Sequence, residues 1–164
     1  MNKAPSQAMS YRLAVIMQRT MLANRWVSEQ WEAKGVVIDN SISGTPPRRI
    51  VQAEPIEQIL FPGHELKRQR HEAEGYYLNI TSPQPKVFVL WRMRQGLAWP
   101  EWLTASYNEG ARWADSGENV DGVPLPAELL PWLARYVEEN YEPEPPKPKR
   151  YASNKDRGRM GHVE

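Results

Sequence analysis

Two tryptophans near the start of the chain, Trp26 and Trp31, are the side chains best suited to bind another protein. Trp is enriched among the residues that dominate the binding energy of protein interfaces, and a strand at a sheet edge can accept another chain. Glu29 lies between them, and Arg92 adds a cationic anchor. The predicted partner-binding set is therefore Trp26, Glu29, Trp31 and Arg92. The alternative is an ordinary edge strand with half-buried tryptophans and solvated glutamates.

A second set of residues has the chemistry of a small-ligand site: Tyr77, Asn79, Trp91 and Arg92. An arginine can hold a phosphate through two parallel hydrogen bonds, and aromatic rings can stack on a pterin or a nucleobase. The same side chains are also ordinary components of a β-sheet. Both interpretations stay open.

No motif in the sequence indicates catalysis or metal binding. The chain has no cysteine, which excludes disulfides, thiolate metal ligands and a cysteine nucleophile. No glycine-rich phosphate loop follows a predicted strand, and no serine or histidine stands in a nucleophile motif. His64 and His71 fall on opposite faces of a predicted strand without an acidic cluster at ligand spacing. We predict no catalytic residue, metal site or cofactor, and leave open whether the chain is an enzyme.

The element expected to organise these residues is a buried central strand at residues 87–93. Its apolar run is bounded by Pro85 on one side and by Arg92 and Arg94 on the other, which is typical of a strand buried on both faces. Residues 75–81 are predicted as its hairpin partner, joined by a turn at 82–85. Another strand is predicted to begin at residue 11, and a further one covers 26–38, with Gly35 as a bulge or bend. Two short strands are predicted within 48–61. After a turn at Pro62–Gly63, strands are predicted over 64–72 and over 97–107. Because of Pro100, the last of these must lie at an edge or a bulge.

Two helices complete the prediction, a short one capped by Asn108 and ended by Gly117, and a C-terminal one. In the second, Leu129, Leu133 and Val137 recur at helical spacing, and Pro131 predicts either a kink or an irregular first turn. The predicted fold is mainly β, a single antiparallel barrel or sandwich with this C-terminal amphipathic helix packed on the sheet. A pleckstrin-homology-like barrel has the same order of strands and helix.

Composition divides the chain into a flexible N-terminus (1–9), a β-rich globular domain (10–141) and a flexible, proline-rich, basic tail (142–164). The tail has a net charge of +2 and the rest of the chain −1, too little for the electrostatic footprint of a nucleic-acid-binding protein. No apolar run approaches the roughly 18 residues that cross a bilayer, and the N-terminus lacks the apolar core of a signal peptide. We expect a cytoplasmic protein without nucleic-acid or membrane partners.

Four stretches of the sequence resemble one known family. They are VIMQR at 15–19 followed by NRWVSEQWEAKGV at 24–36, EGYYLNITSP at 74–83 continuing to VFVLWRM at 87–93, SYNEGAR at 106–112, and ENVDGVPLP at 118–126. These resemble the proteobacterial family of unknown function whose genes lie near those of molybdenum-dependent formate dehydrogenases. Some members are labelled as molybdopterin-guanine dinucleotide biosynthesis proteins. The resemblance implies an association with formate dehydrogenase assembly or cofactor supply.

Two functions are consistent with this resemblance. The first is a non-catalytic accessory or assembly factor that contacts a formate dehydrogenase subunit or another maturation factor through Trp26, Trp31 and Arg92. The second is a small-ligand or molybdenum-cofactor-handling protein, including an enzyme of cofactor biosynthesis, with Tyr77, Asn79, Trp91 and Arg92 around a pocket mouth. A homodimer is compatible with both.

Overall fold

Seven strands and three α-helices form the described part of the chain, residues 9–143 of a computed structural model. The strands are β1 Ser10–Met21, β2 Glu29–Ile38, β3 Arg48–Ala53, β4 Ile56–Lys67, β5 Lys86–Arg94, β6 Leu97–Thr104 and β7 Asn119–Pro124. The helices are α1 Ala73–Ile80, α2 Tyr107–Asp115 and α3 Leu130–Asn140, with 3-10 turns at Arg70–Glu72 and Ala127–Leu129. The predicted N-terminal segment up to residue 8 and the tail from residue 144 lie outside the described residues.

The strands form two antiparallel sheets, one in the order β2-β1-β4-β3 and the other in the order β6-β5-β7. The sheets face each other, so that β7 lies against β2 while β6 lies against β4 and β1. The core between them includes Leu13, Val15, Phe61, Val87 and Val89, all at most 1% exposed. The predicted β-rich fold and C-terminal helix are confirmed, and the described strands do not close into a barrel.

The two sheets differ in width by one strand, which leaves β3 without a partner strand in the second sheet. All six residues of β3 are exposed. Both faces of β3 therefore contact solvent.

The predicted central strand is confirmed as β5, which lies between β6 and β7. Its predicted hairpin partner at residues 75–81 is wrong, because residues 75–80 belong to α1 and Thr81 caps the C-terminal end of that helix. Ala73, Tyr76 and Asn79 recur every three residues and are buried, which is the spacing of a helix face. The β propensity of the tyrosine pair suggested a strand, but tertiary packing overrides that propensity here.

The predicted turn at Pro62–Gly63 is also wrong, because β4 continues to Lys67. Leu13 pairs with His64 and Val15 with Phe61, so two residues of β4 face one residue of β1 in a bulge. Gly63 has φ +82°, and a Cβ there would lie 2.5 Å from the carbonyl oxygen of Ile42. The bulge thus brings the loop at residues 39–47 onto β4. Residues 64–67, predicted as part of an outer strand, form the end of β4 that pairs with β1 alone, because β3 pairs only with residues 56–60.

The helix ends follow local sequence signals more closely. Ser106, rather than the predicted Asn108, caps α2 by accepting a hydrogen bond from the Glu109 N–H at 3.0 Å, and Gly117 follows its end with φ +85°. Pro131 lies in the first turn of α3 after a 3-10 turn, which confirms the predicted irregular start. α3 packs mainly on α1 rather than on a sheet as predicted. No helix among residues 9–143 is long and apolar enough to span a membrane.

Candidate functional site

Trp26, the first residue of the predicted partner-binding set, lies in the loop between β1 and β2 and is 81% exposed. Its backbone N–H donates to Oδ1 of Asn24 at 2.7 Å, and the Arg25 guanidinium lies 5.0 Å from the centre of its ring. The loop therefore presents a large apolar ring to solvent at one end of the four-stranded sheet.

Glu29 and Trp31, two further members of that set, are brought together inside a polar cluster. Trp31 is only 8% exposed and donates its indole N–H to Oε2 of Glu29 at 2.7 Å. Arg19 pairs with Glu29 at 3.5 Å and with the buried Glu57 at 2.7 Å, and its guanidinium lies over the Trp31 ring. These contacts give Trp31 a structural role in joining β1, β2 and β4.

Arg92, shared by both predicted sets, forms a two-point ion pair with Glu118. Its Nε and Nη2 donate to the two carboxylate oxygens at 3.1 and 2.7 Å. These hydrogen bonds lower the pKa of Glu118 and raise that of Arg92. The guanidinium is already bound to a carboxylate of the same chain.

The predicted ligand-binding residues do not surround one pocket in the described part of the chain. Tyr77 stacks on Tyr141 with ring centres 4.9 Å apart, whereas Trp91 donates its indole N–H to Oδ2 of Asp121 at 2.8 Å. The side chain of Asn79 is buried and fully used by the backbone. It donates to the carbonyl oxygens of Lys86 and Ala105 and accepts from the N–H of Lys86.

A cleft that the sequence did not reveal lies at the other end of the four-stranded sheet from Trp26. It has a volume of about 710 Å³ and opens between β6, the second half of β4 and the loop before β3. We call it the β6 cleft. Its lining residues are Ser43, Gly44, Thr45, Pro46, Pro47, Phe61, Pro62, Gly63, His64, Glu65, Lys67, Gln69, Arg94, Trp99, Pro100, Glu101, Trp102 and Leu103.

One wall of the β6 cleft is aromatic. Trp99 packs edge-on against Phe61 with ring centres 5.0 Å apart, and the Arg94 guanidinium lies 4.7 Å from the Trp99 ring centre. Trp102 is 61% exposed. Neither Trp99 nor Trp102 donates its indole N–H to any described residue. The wall therefore offers apolar surface and two hydrogen-bond donors.

Ionisable groups of both signs line the rest of the cleft. Arg94 Nε lies 3.1 Å from Oε2 of Glu101, and Lys67 Nζ lies 3.6 Å from Oε1 of Glu65. Burial lowers the pKa of His64, and the nearby Glu101 carboxylate opposes that effect in part. His64 is therefore held in its neutral form more strongly than an exposed histidine.

The lowered pKa of His64 predicts a pH-dependent stability. An unperturbed histidine has a pKa of about 6.5, so the unfolded chain takes up this proton before the folded chain does as the pH falls. The free energy of unfolding should decrease between about pH 7 and pH 5.5, and His64→Gln should reduce that decrease. Urea denaturation of both proteins across this range provides the measurement. If the free energy of unfolding depended on pH in the same way in both proteins, the lowered pKa of His64 would be contradicted. Above about pH 8 the difference in free energy of unfolding between the two proteins should be constant.

The walls of the cleft come from segments that are far apart in the sequence. The bulge at Pro62–Gly63 places the 39–47 loop on one side, and β6 forms the other side. Pro100 in β6 pairs with Trp91 while Trp102 pairs with Leu90, so Glu101 is an extra residue in a bulge. The only local sequence signal for the cleft was the pair of tryptophans, Trp99 and Trp102, on either side of Pro100 in a predicted strand. Within residues 9–143 no group of acidic or histidine side chains could hold a metal ion.

Fold and cleft together define the class of this protein, a small β-rich domain of two facing sheets with an open aromatic cleft beside an edge strand. The chain belongs to the family described as "Protein of unknown function (DUF3305)", which it matches over residues 12–150. Neither a curated protein nor a solved structure shows significant similarity to it.

Proposed function

We propose that this protein is a non-catalytic accessory or assembly factor of a molybdenum-dependent formate dehydrogenase. It binds a subunit of that enzyme or another maturation factor through the β6 cleft. The observation that supports protein binding is the wall of Trp99 and Trp102, whose indole N–H groups donate to none of residues 9–143 and whose Trp102 ring is exposed. The choice of formate dehydrogenase rests on the family resemblance of the sequence.

The composition of the cleft suits a protein segment. Interfaces combine an aromatic centre that loses its water on binding with a polar rim that sets orientation. In the β6 cleft the aromatic centre is Trp99 and Trp102, with the buried Phe61 packed behind Trp99, and the ion pairs of Arg94 and Lys67 lie beside it. Trp26 provides a second contact surface at the opposite end of the four-stranded sheet.

The volume of the cleft also supports the alternative, a small-ligand or molybdenum-cofactor-handling protein. Ligand sites commonly have about 300–1,000 Å³, and the β6 cleft has about 710 Å³. Arg94 and Trp99 combine a cation with a stacking surface, which suits a phosphate-bearing heterocycle. In this alternative the cleft replaces the dispersed residues Tyr77, Asn79, Trp91 and Arg92 as the site.

Trp102→Ala should abolish capture of the partner without unfolding the domain, because the ring is largely exposed. Removing a central tryptophan of an interface costs about 2 kcal/mol or more, or at least about 30-fold in affinity. The tagged protein is purified from its native host growing on formate, and co-purifying formate dehydrogenase subunits and maturation factors are quantified by mass spectrometry. Trp26→Ala tests the second surface in the same way.

Met93→Ala is the matched control, because Met93 is 47% exposed on β5 but does not line the cleft. Trp31→Ala is unsuitable, since Trp31 is buried and bonded to Glu29. Capture by the Trp102→Ala protein equal to that of the wild type would exclude the cleft as the binding site. A deletion strain without formate dehydrogenase activity, combined with no specific protein captured by the wild type, would favour the small-ligand alternative.

A further inference from the structure

We infer that the outer face of the four-stranded sheet binds a second copy of this chain, so that the protein forms a two-fold symmetric dimer. The outer face is the side of β1 to β4 that points away from the narrower sheet. This inference goes beyond the proposed function and does not rest on it, because the β6 cleft lies between β4 and β6, strands of the two facing sheets.

The alternation of side chains along β1 defines the outer face. Leu13, Val15 and Met17 belong to the core cluster between the sheets, so the residues between them lie on the opposite side of the strand. Leu60 pairs with Ile16 and therefore shares that side. Leu60 is only 7% exposed, yet it lies outside the core cluster of the described residues. The sheet thus carries a second apolar surface that is separate from the core.

The outer face is open at several points among the described residues. A Cβ added at Gly35, which pairs with Ile16, would meet no described atom within 4 Å. Val37 on β2 and Val51 on β3 also lie on this face and are 45% and 37% exposed. The helices pack elsewhere, α2 on the narrower sheet and α1 and α3 on each other. The apolar side chains of the outer face are therefore available for contact with another molecule.

Opposite charges lie at the two edges of the outer face. Glu32 on β2 pairs with Gln18, and Arg48 on β3 pairs with Leu60, so the register places both charged residues on the outer side. Neither Glu32 nor Arg48 forms an ion pair with another described residue. The face is therefore negative at one edge, apolar or uncharged in its centre and positive at the other edge.

A second copy of the chain is complementary to this charge pattern. A two-fold axis parallel to the strands, midway between β1 and β4, places β2 of one copy over β3 of the other. The negative edge of each copy then faces the positive edge of the second copy, and the same contact forms twice. An axis perpendicular to the strands would instead place β2 over β2 and β3 over β3, which brings like charges together. The charges thus favour the first arrangement.

The side chains in the centre of the face also match in that arrangement. Ile16 of one copy lies over Leu60 of the second copy, while Arg48 of the second copy lies over Gly35. Because Gly35 has no side chain, that arginine has room to reach Glu32. Facing sheets pack about 10 Å apart, a distance that an arginine and a glutamate side chain can span together.

The size and polarity of the outer face indicate a weak dimer. Its two central glutamines already bond to each other, since Nε2 of Gln58 donates to Oε1 of Gln18 at 2.8 Å, which lowers the cost of removing them from water. With strands about 4.8 Å apart and about 3.4 Å per residue, the face along β1 residues 12–20 measures about 500 Å². Two copies would bury about 1,000 Å², the lower limit of a specific interface. We therefore expect dissociation in the micromolar range.

Sedimentation velocity of the full-length protein between about 1 and 200 µM tests the dimer. The mass should rise with concentration from 19.0 kDa toward twice that value. Glu32→Arg and Arg48→Glu each place like charges at both edges and should weaken association at least about tenfold. The double variant Glu32→Arg, Arg48→Glu restores opposite charges and should associate within about threefold of the wild type. Glu128→Arg, at an exposed position before α3, is the control and should associate as the wild type does.

Chemical crosslinking tests how the two copies are arranged. The chain has no cysteine, so Gln30→Cys and Ala53→Cys can each be made as a protein with one thiol. Thr20 pairs with Gln30 and with Ile56, and Ile56 pairs with Ala53, so these four residues form one row across the sheet. In the dimer Gln30 lies over Ala53 of the second copy. A short bis-maleimide should therefore link a mixture of the two variants into heterodimers and should link either variant alone much less.

Three results would overturn the inference. The first is a wild-type protein that stays monomeric up to about 200 µM, and the second is association that is unchanged by Glu32→Arg or not recovered in the double variant. The third is equal crosslinking in the mixture and in the separate variants. If the wild type stays monomeric while Glu32→Arg weakens capture of the partner protein, the outer face binds that partner instead of a second copy, and the dimer is wrong.

Discussion

Replacing Gly75 with alanine is expected to lower the free energy of unfolding by about 3 kcal/mol or more. A Cβ at Gly75 would lie 1.9 Å from Oγ of Ser106 and 2.9 Å from its Cβ. Ser106 is fully buried, so its side chain has no free space into which to turn. The methyl group can be accommodated only if α1 and α2 move apart.

The Ser106 hydroxyl is also committed to two hydrogen bonds that such a movement would break. It accepts from the Glu109 N–H at the start of α2 and donates to Oε1 of Glu72 at 2.5 Å. Glu72 is only 3% exposed and pairs with Arg112. A buried carboxylate that loses a partner is costly, so the steric clash and the loss of polar contacts act together.

Urea denaturation of Gly75→Ala measures this loss, and Gly35→Ala is the matched control. A Cβ at Gly35 would meet nothing within 4 Å, and Gly35 lies in β2 with an ordinary backbone conformation. Its replacement should change the free energy of unfolding by less than about 1 kcal/mol. Similar losses in both variants would show that Gly75 is not constrained by Ser106.

The second large effect is expected for Asp121→Ala, which should lower the free energy of unfolding by about 3 kcal/mol. Oδ2 of Asp121, in β7, accepts the backbone N–H of Ala33 and the indole N–H of Trp91, each at 2.8 Å. One carboxylate thus joins β2 of the wider sheet to β5 and β7 of the narrower sheet. Its removal leaves two donors without an acceptor, each costing about 1–3 kcal/mol.

Asp121→Asn is the control, because its amide oxygen can still accept both hydrogen bonds, and we expect it to lose less than half as much stability. Trp91→Phe removes one of the two donors. In a double-mutant cycle, the effects of Trp91→Phe and Asp121→Ala should not add, with an interaction energy of about 1 kcal/mol. Additive effects would mean that the indole bond contributes nothing to the joining of the sheets.

The sequence predicted those parts of the fold whose signals are local. β1 and β5 follow from their apolar patterns, the bulged edge strand β6 from Pro100, and the irregular start of α3 from Pro131. The buried face of α1 includes Tyr76 and Asn79. It is complementary to Lys86 and Ala105, which follow later in the chain, and for that reason α1 was not predicted. No local pattern encodes such a contact.

The candidate site was predicted less well than the fold, for the same reason. Trp31 resembled an interface anchor in the sequence, but its partners Glu29 and Arg19 hold it inside the sheet. The β6 cleft exists because β6 faces the second half of β4 and because the Pro62–Gly63 bulge draws the 39–47 loop onto β4. Both causes are relations between distant segments, so neither could be read from the tryptophans themselves.

The interruptions in the outer strands also affect how copies of this protein behave when crowded. A continuous free strand edge is a template on which further chains can add and form fibres. β2 has an extra residue at Lys34 and its Ala33 N–H is taken by Asp121, β3 has an extra residue at Ile50, and β6 contains Pro100. Each of these three edges is broken near its middle, and the fourth edge strand, β7, has only six residues and ends at Pro124. The uncovered edge of β3 is therefore a poor template for a further chain.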